Sequence, residues 1–247
     1  MANSTKSSTT RVIPMFRWLI EHGGADWPRQ FLSLADGISA DRDCGPIVSA
    51  VLEPEAKVAA TPERLAWMLR NHDRLAPQDG KKWRALRKRV SDPTAVNAAI
   101  QHLDSGTAAG VKKSLRLEGA TCADCLVRCQ RAIIWVEGKR YDWLSTNTTW
   151  DSARDQLARN MEAVWSCAKV ERLDYFVVLC HEHALKHHEQ SLVKGYRDGT
   201  WSAGLPHLSE QQRTEFAKRI GTLTWSKMTT HWPDLRGLPE LADLHEQ

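Results

Sequence analysis

Apolar residues recur at helical spacing through roughly the first hundred positions and at strand spacing beyond Gly110, so two textures follow one another along the chain. Val12, Met15, Phe16, Leu19 and Ile20 form one helical stripe that Gly23-Gly24 ends, and Trp27, Phe31 and Leu34 mark a short second helix. Thr61-Pro62-Glu63 opens a third, since a hydroxyl cap followed by proline suits a first turn, with Leu65, Met68 and Leu69 facing inward. The basic stretch Lys81 to Val90 predicts a fourth, and Asp92-Pro93 starts a fifth carrying Val96, Ala99, Ile100 and Leu103. Beyond Gly110, Ser114 to Glu118 alternates like a strand, and Cys125 to Cys129 and Ala132 to Val136 predict two more. A helix is expected from about Asp151 to Ala168, a buried strand at Tyr175 to Leu179, and helices over Glu182 to Lys194 and Ser209 to Arg219.

The order of elements predicts an α/β fold: a mixed sheet flanked by helices, with a helical N-terminal region. Residues 1–10, almost all small and polar, read as a disordered tail, 11–109 as the helical region and 110–247 as the core. The tail lacks the apolar run of a secretory signal, and no apolar stretch approaches the roughly 18 residues of a membrane helix, so a soluble, cytoplasmic protein without a membrane partner is expected. With 247 residues, 42% of them hydrophobic, the chain can bury a sizeable core. A formal charge of +4 permits a polyanionic partner without demanding one. The six cysteines, at 44, 122, 125, 129, 167 and 180, read as reduced thiols or metal ligands rather than a disulfide framework.

One hairpin carries the chemistry. If the strands turn at Gln130-Arg131, Cys125 pairs with Val136 and Asp124 with Glu137, and a four-residue loop centred on the same two residues keeps that register. Gln-Arg is a poor two-residue turn, and a slip by one residue would send the two carboxylates to opposite faces. In register, Asp124 and Glu137 face each other, and Lys139 projects from the same side. Opposed carboxylates repel, and a hard divalent cation between them, Mg²⁺ or Mn²⁺, removes the conflict. Carboxylates, metal and an ammonium group together suit phosphodiester hydrolysis.

Asp124, a short gap and Ile133-Ile134-Trp135-Val136-Glu137-Gly138-Lys139 resemble the Asp…Glu-x-Lys signature of the PD-(D/E)XK nuclease superfamily, whose fold is restriction-endonuclease-like. The likeness covers about Ser114 to Cys180 and includes Gln156 in the following helix, where many members carry a supporting glutamine. It departs at Ala123, where the superfamily's proline would stand, and at Asn160, which replaces the aromatic partner of the glutamine. The resemblance implies a Mg²⁺- or Mn²⁺-dependent nuclease acting on nucleic acid, DNA before RNA. Asp124 and Glu137 would bind the metal, Lys139 act on the water and Gln156 support the site. Many members also have an acidic residue upstream of the Asp, and Glu118 is the nearest candidate.

Other constellations compete. Cys122-x-x-Cys125 with Cys180, His181, His183, His187 and His188 suggests zinc, although buried thiols and a polar helix face account for them more simply. His181, at the C-terminal end of a buried strand, is placed to approach the site. Lys81 to Arg89 reads equally as a solvated helix face or as a phosphate-binding surface. The alternative to an enzyme is a non-catalytic nucleic-acid- or protein-binding module on the same fold.

Overall fold

The computed structural model describes residues 8–139, 144–145, 147–182, 193–199 and 204–241. Its centre is a five-stranded mixed sheet in the order β1-β3-β4-β5-β6, formed by β1 (Ile47–Leu52), β3 (Cys125–Cys129), β4 (Ala132–Lys139), β5 (Asp174–His181) and β6 (Ile220–Thr224). The pairs β1–β3 and β3–β4 are antiparallel, and β4–β5 and β5–β6 are parallel. A second small ladder joins the two-residue segments Lys57–Val58 (taken as part of the loop after β1) and Thr121–Cys122, the latter counted as β2. All eight residues of β4 are buried, as expected of a central strand covered on both faces.

Alternation along the strands builds two cores. Val127, Ile134, Val136, Phe176 and Val178 point to one face, against α1 (Ile13–His22), α2 (Trp27–Leu34) and α8 (Trp225–His231). Leu126, Ile133, Trp135, Val177 and Leu179 point to the other, against Leu157, Met161 and Val164 of α6 (Gln156–Glu171) and Phe216 of α7 (Glu210–Ala217). Fully burying each such side chain contributes about 1.5–3 kcal/mol. A third cluster joins α3 (Pro62–Arg70), α4 (Gly80–Arg89) and α5 (Pro93–Asp104) through Leu65, Met68, Leu69, Leu86, Val96 and Leu103. The cap at Thr61 forms as its sequence predicts, its hydroxyl accepting from the Arg64 N–H at 3.0 Å.

The α/β sheet flanked by helices agrees with the sequence reading, while its divisions are corrected. The helical region does not stand apart from the core: α1 and α2 pack on the sheet, β1 belongs to it, and only α3 to α5 form a separate helical cluster, inserted between β1 and β2. The strand expected at Ser114 to Glu118 is absent. Lys113–Leu115 forms a tight helical turn there, and Leu115 and Leu117 go into the helical cluster. Of the expected tail, residues 1–7 lie outside the described residues, whereas Ser8–Val12 forms a helical turn in which Arg11 is buried and its guanidinium grips Glu182 at 2.7 and 3.0 Å. Most of the helix expected over Glu182 to Lys194 lies outside the described residues, as do His183, His187 and His188. Among the described residues no helix is long and apolar enough to cross a membrane.

Candidate active site

The hairpin adopts the register that brings the carboxylates together. Cys125 pairs with Val136, Leu126 with Trp135, Val127 with Ile134 and Arg128 with Ile133, so Asp124 and Glu137 are the next opposed positions. The poor turn residues are accommodated by a neighbouring segment: the N–H groups of Gln130 and Arg131 donate to the carbonyls of Pro46 and Cys44 at 3.0 and 2.9 Å. Burial of the apolar face does the rest, because a one-residue slip would turn Val127, Ile134 and Val136 away from their core.

Around Glu137 the arrangement is dense. Lys139 Nζ lies 2.9 Å from Glu137 Oε1, and both side chains are buried. Gln156, the first residue of α6, donates from Nε2 to the same oxygen at 2.6 Å. Asn160, one turn further on, donates from Nδ2 to Oε2 at 2.9 Å. The helix holds these amides in place. The Ser145 N–H donates to Gln156 Oε1 at 3.1 Å, and Thr121 Oγ1 donates to Asn160 Oδ1, also at 3.1 Å. Because α6 begins above the end of β4, its positive N-terminal end also favours the carboxylates. Asn160, a departure in the sequence comparison, thus supports the same glutamate as Gln156.

Asp124 is half-buried and accepts from the backbone N–H of Gly138 through Oδ2 at 2.7 Å. That contact depends on Gly138 lying close under the chain. A Cβ there would come within 2.3 Å of a Val12 methyl carbon and 3.2 Å of the Trp225 ring. Burial, and then the charge of Glu137, push the Asp124 carboxyl up to about 8, although the Gly138 N–H and Lys139 oppose the rise. Glu53 adds to the repulsion. It follows β1, and its N–H donates to the Asp124 carbonyl at 3.0 Å, so its position continues the Asp124–Glu137 row across the sheet. Glu53 carries no local signal in the sequence, because its place beside Asp124 follows from the pairing of β1 with the distant β3.

Glu118 does not join this row. Its two oxygens accept from Arg154 Nε and Nη2 at 2.7 and 2.8 Å, inside a buried ion-pair network with Arg64 and Glu162. A carboxylate already engaged by a bidentate guanidinium, and placed with that network, is corrected from metal ligand to structural partner. His181 pairs with Lys139 across the parallel β4–β5 ladder, so its side chain shares the site's face of the sheet. The zinc constellation does not assemble among the described residues: Cys125 and Cys180 are enclosed in the core, and no group of three or more His, Cys, Asp or Glu is placed to hold a metal ion. Helix α4 (Gly80–Arg89) does form over the basic stretch, its cations mostly exposed, with Arg89 and Lys82 stacked toward the Trp150 ring at 4.8 and 6.0 Å.

A stability measurement tests the Asp124 environment. Between pH 4 and 8 the folded protein holds a proton on Asp124 that the unfolded chain releases, so stability should fall as pH rises through that window and level off above about 8. Each pH unit within it costs up to about 1.4 kcal/mol. Asp124→Asn removes the titration, and its thermal midpoint is expected to exceed that of metal-free wild type at pH 8 while matching it near pH 4. Parallel curves for the two proteins would mean that Asp124 is not the group under strain.

No family model, curated protein or solved structure matches the chain.

Proposed function

We propose that the protein is a metal-dependent nuclease of the PD-(D/E)XK type, on a restriction-endonuclease-like fold, that hydrolyses nucleic-acid phosphodiester bonds, with DNA the expected substrate. The observation that carries this reading is the convergence of Lys139, Gln156 and Asn160 on Glu137, with Asp124 opposite it in the hairpin register.

The residues present fit a Mg²⁺ or Mn²⁺ ion. Oδ1 of Asp124 and one lone pair of Glu137 Oε2 are left over by the hydrogen bonds just described, and Mg²⁺ needs few protein oxygens because it keeps several waters. The raised Asp124 carboxyl also points this way, since a proton occupies a place that a cation would fill more favourably. A bound divalent cation would polarise the phosphate and acidify a water. Gln156 and Asn160 fix the Glu137 carboxylate so that its free lone pair has one direction. The Lys139 ammonium orients the attacking water and stabilises the charge that develops on phosphate oxygen as the phosphorus–oxygen bond breaks.

A second reading has its own support. Three donors already engage Glu137, and Asp124 can be neutralised by a proton, so the network closes without a metal. That suits a binding module that keeps the fold and not the reaction. Cleavage of plasmid, single-stranded DNA and RNA in Mg²⁺ or Mn²⁺ decides between them. Wild type should cut at least one substrate, and Glu137→Ala should lose both metal affinity, read by calorimetry, and cleavage. A wild type that binds nucleic acid and cuts none of the three supports the binding module.

A further inference from the structure

Beside the carboxylate pair, on the far side of Gln156, lies a cleft of about 330 Å³ whose wall includes Gln78, Ser145, Asn147, Trp150 and Arg159, with Glu118 at its base. Its connection to the site is direct. The backbone of Ser145 exchanges two hydrogen bonds with Gln156, accepting from its N–H at 2.8 Å and donating to its Oε1 at 3.1 Å, and Gln156 in turn grips Glu137. One side chain therefore separates the cleft from the metal-binding carboxylate.

Among the described residues the lining is polar, and its one cation, Arg159, faces its one carboxylate, Glu118. Gln78 and Asn147 are hydrogen-bonded to each other through their side-chain amides, which leaves each with further donors and acceptors for a ligand. Arg159 donates to the Ala120 carbonyl at 3.3 Å through one Nη, and its buried Nε lies 3.8 Å from Glu118 Oε1. The Glu118 charge is met by Arg154 at 2.7 and 2.8 Å and by Arg159 at 3.8 Å, so it is balanced within the wall of the cleft. Trp150 is part of the wall, and Arg89 and Lys82 of α4 lie over its ring at 4.8 and 6.0 Å, which sets two cations beside the cleft.

We infer that this cleft seats one unstacked, unpaired nucleotide of a single-stranded nucleic acid whose adjoining phosphodiester lies at Asp124 and Glu137. The inference rests on the nuclease reading and deepens it by naming the strandedness of the substrate. The volume is at the lower end for a small-ligand site, enough for one nucleotide unit. Amides suit the hydrogen-bonding edge of a base, which is occupied in a duplex and free in a single strand. Lys82 and Arg89, over the Trp150 ring, supply cations beside the cleft for the backbone of the strand.

The test is binding, measured by fluorescence anisotropy in EDTA so that no cleavage intervenes. Short labelled single-stranded DNA, RNA of the same sequence and the matching DNA duplex are compared on wild type, Arg159→Gln, Asn147→Ala and Trp150→Ala. Wild type should hold a single strand roughly tenfold or more tighter than the duplex, and the variants should lose most of that preference with thermal midpoints near wild type. Trp150 also packs on the helical cluster, so should Trp150→Ala fail to fold, Arg159→Gln and Asn147→Ala carry the test. Equal loss for DNA and RNA places recognition in base and phosphate, and loss for one alone assigns it to the sugar. Duplex binding as tight as single-strand binding, or unchanged single-strand binding by the folded variants, overturns the inference. Failure of the nuclease reading looks different: single strands bind and the variants weaken them, yet Mg²⁺ or Mn²⁺ brings no cleavage.

Discussion

Lys139→Ala is expected to lower the Mg²⁺-dependent cleavage rate on the order of a hundredfold or more, the usual effect of removing one electrostatic stabiliser from a water-poor site. Its ammonium lies 2.9 Å from Glu137 Oε1 at the end of a strand whose every residue is buried, so little solvent screening weakens it. Loss of that positive charge leaves both carboxylates in place, and divalent-ion affinity should stay the same or rise slightly, because a competing cation has gone. Glu137 keeps its amide donors Gln156 and Asn160, which should hold its geometry in the variant. The pattern therefore differs from Glu137→Ala, which loses metal and cleavage together. Single-turnover cleavage and calorimetry on both variants separate the two roles. If Lys139→Ala cuts as fast as wild type, the water-orienting role assigned to it is wrong.

The parts of this site that were legible in the sequence lie in one stretch of chain. The alternation of Cys125 to Cys129 and Ala132 to Val136 determines which residues face each core, and burial then enforces the register that opposes Asp124 and Glu137. Gln156 was legible through the resemblance, which expects a supporting glutamine in the helix after the hairpin, although that helix begins at Gln156 itself rather than at Asp151. Asn160 was seen only as a departure, since what makes it a partner of Glu137 is a helical spacing of four measured from Gln156, combined with the height of α6 over β4. That height is a tertiary quantity.

Misses have similar causes. Ser114 to Glu118 alternates as a strand would, yet Leu115 and Leu117 find their apolar partners in the helical cluster, so packing overrides the local pattern. Ile47–Leu52 carries strand-forming residues but sits among helices in sequence, and its partner β3 is more than seventy residues away along the chain. With β1 unseen, Glu53 could not be placed beside Asp124, and the nearest acid in sequence, Glu118, stood in its stead. Distance along the chain misled here: Glu118 is six residues from Asp124 and engaged elsewhere, whereas Glu53 is its neighbour across the sheet.

Arg154→Met is expected to destabilise the protein by about 3–5 kcal/mol, the range for breaking a buried ion pair from one side. The Arg154 guanidinium binds Glu118 through two nitrogens, Glu162 at 2.8 Å and the Gly204 carbonyl at 3.0 Å, all of it enclosed. The same network reaches the helical cluster, because Arg64 of α3 binds Asp151 at 2.6 Å and lies 3.6 Å from Glu118. Arg154 thus links α6, through Glu162 and Glu118, to Arg64 of α3, and its loss leaves Glu118 with only the longer contacts to Arg64 and Arg159. In wild type, burial would raise the Glu162 carboxyl, but the charge of Arg154, with His207 and Thr61, holds it down to about 2. A depressed folded-state value means that this stability is present above the ordinary glutamate range and is lost only as pH falls toward 2. The variant should weaken that depression. Without the guanidinium, burial acts on Glu162 against only His207 and Thr61, so its carboxyl should rise and the stability lost on acidification should begin at a higher pH than in wild type. Denaturant titrations at several pH values read both effects. A loss below about 1 kcal/mol with an unchanged pH slope would show that the network is not what couples the helical cluster to α6.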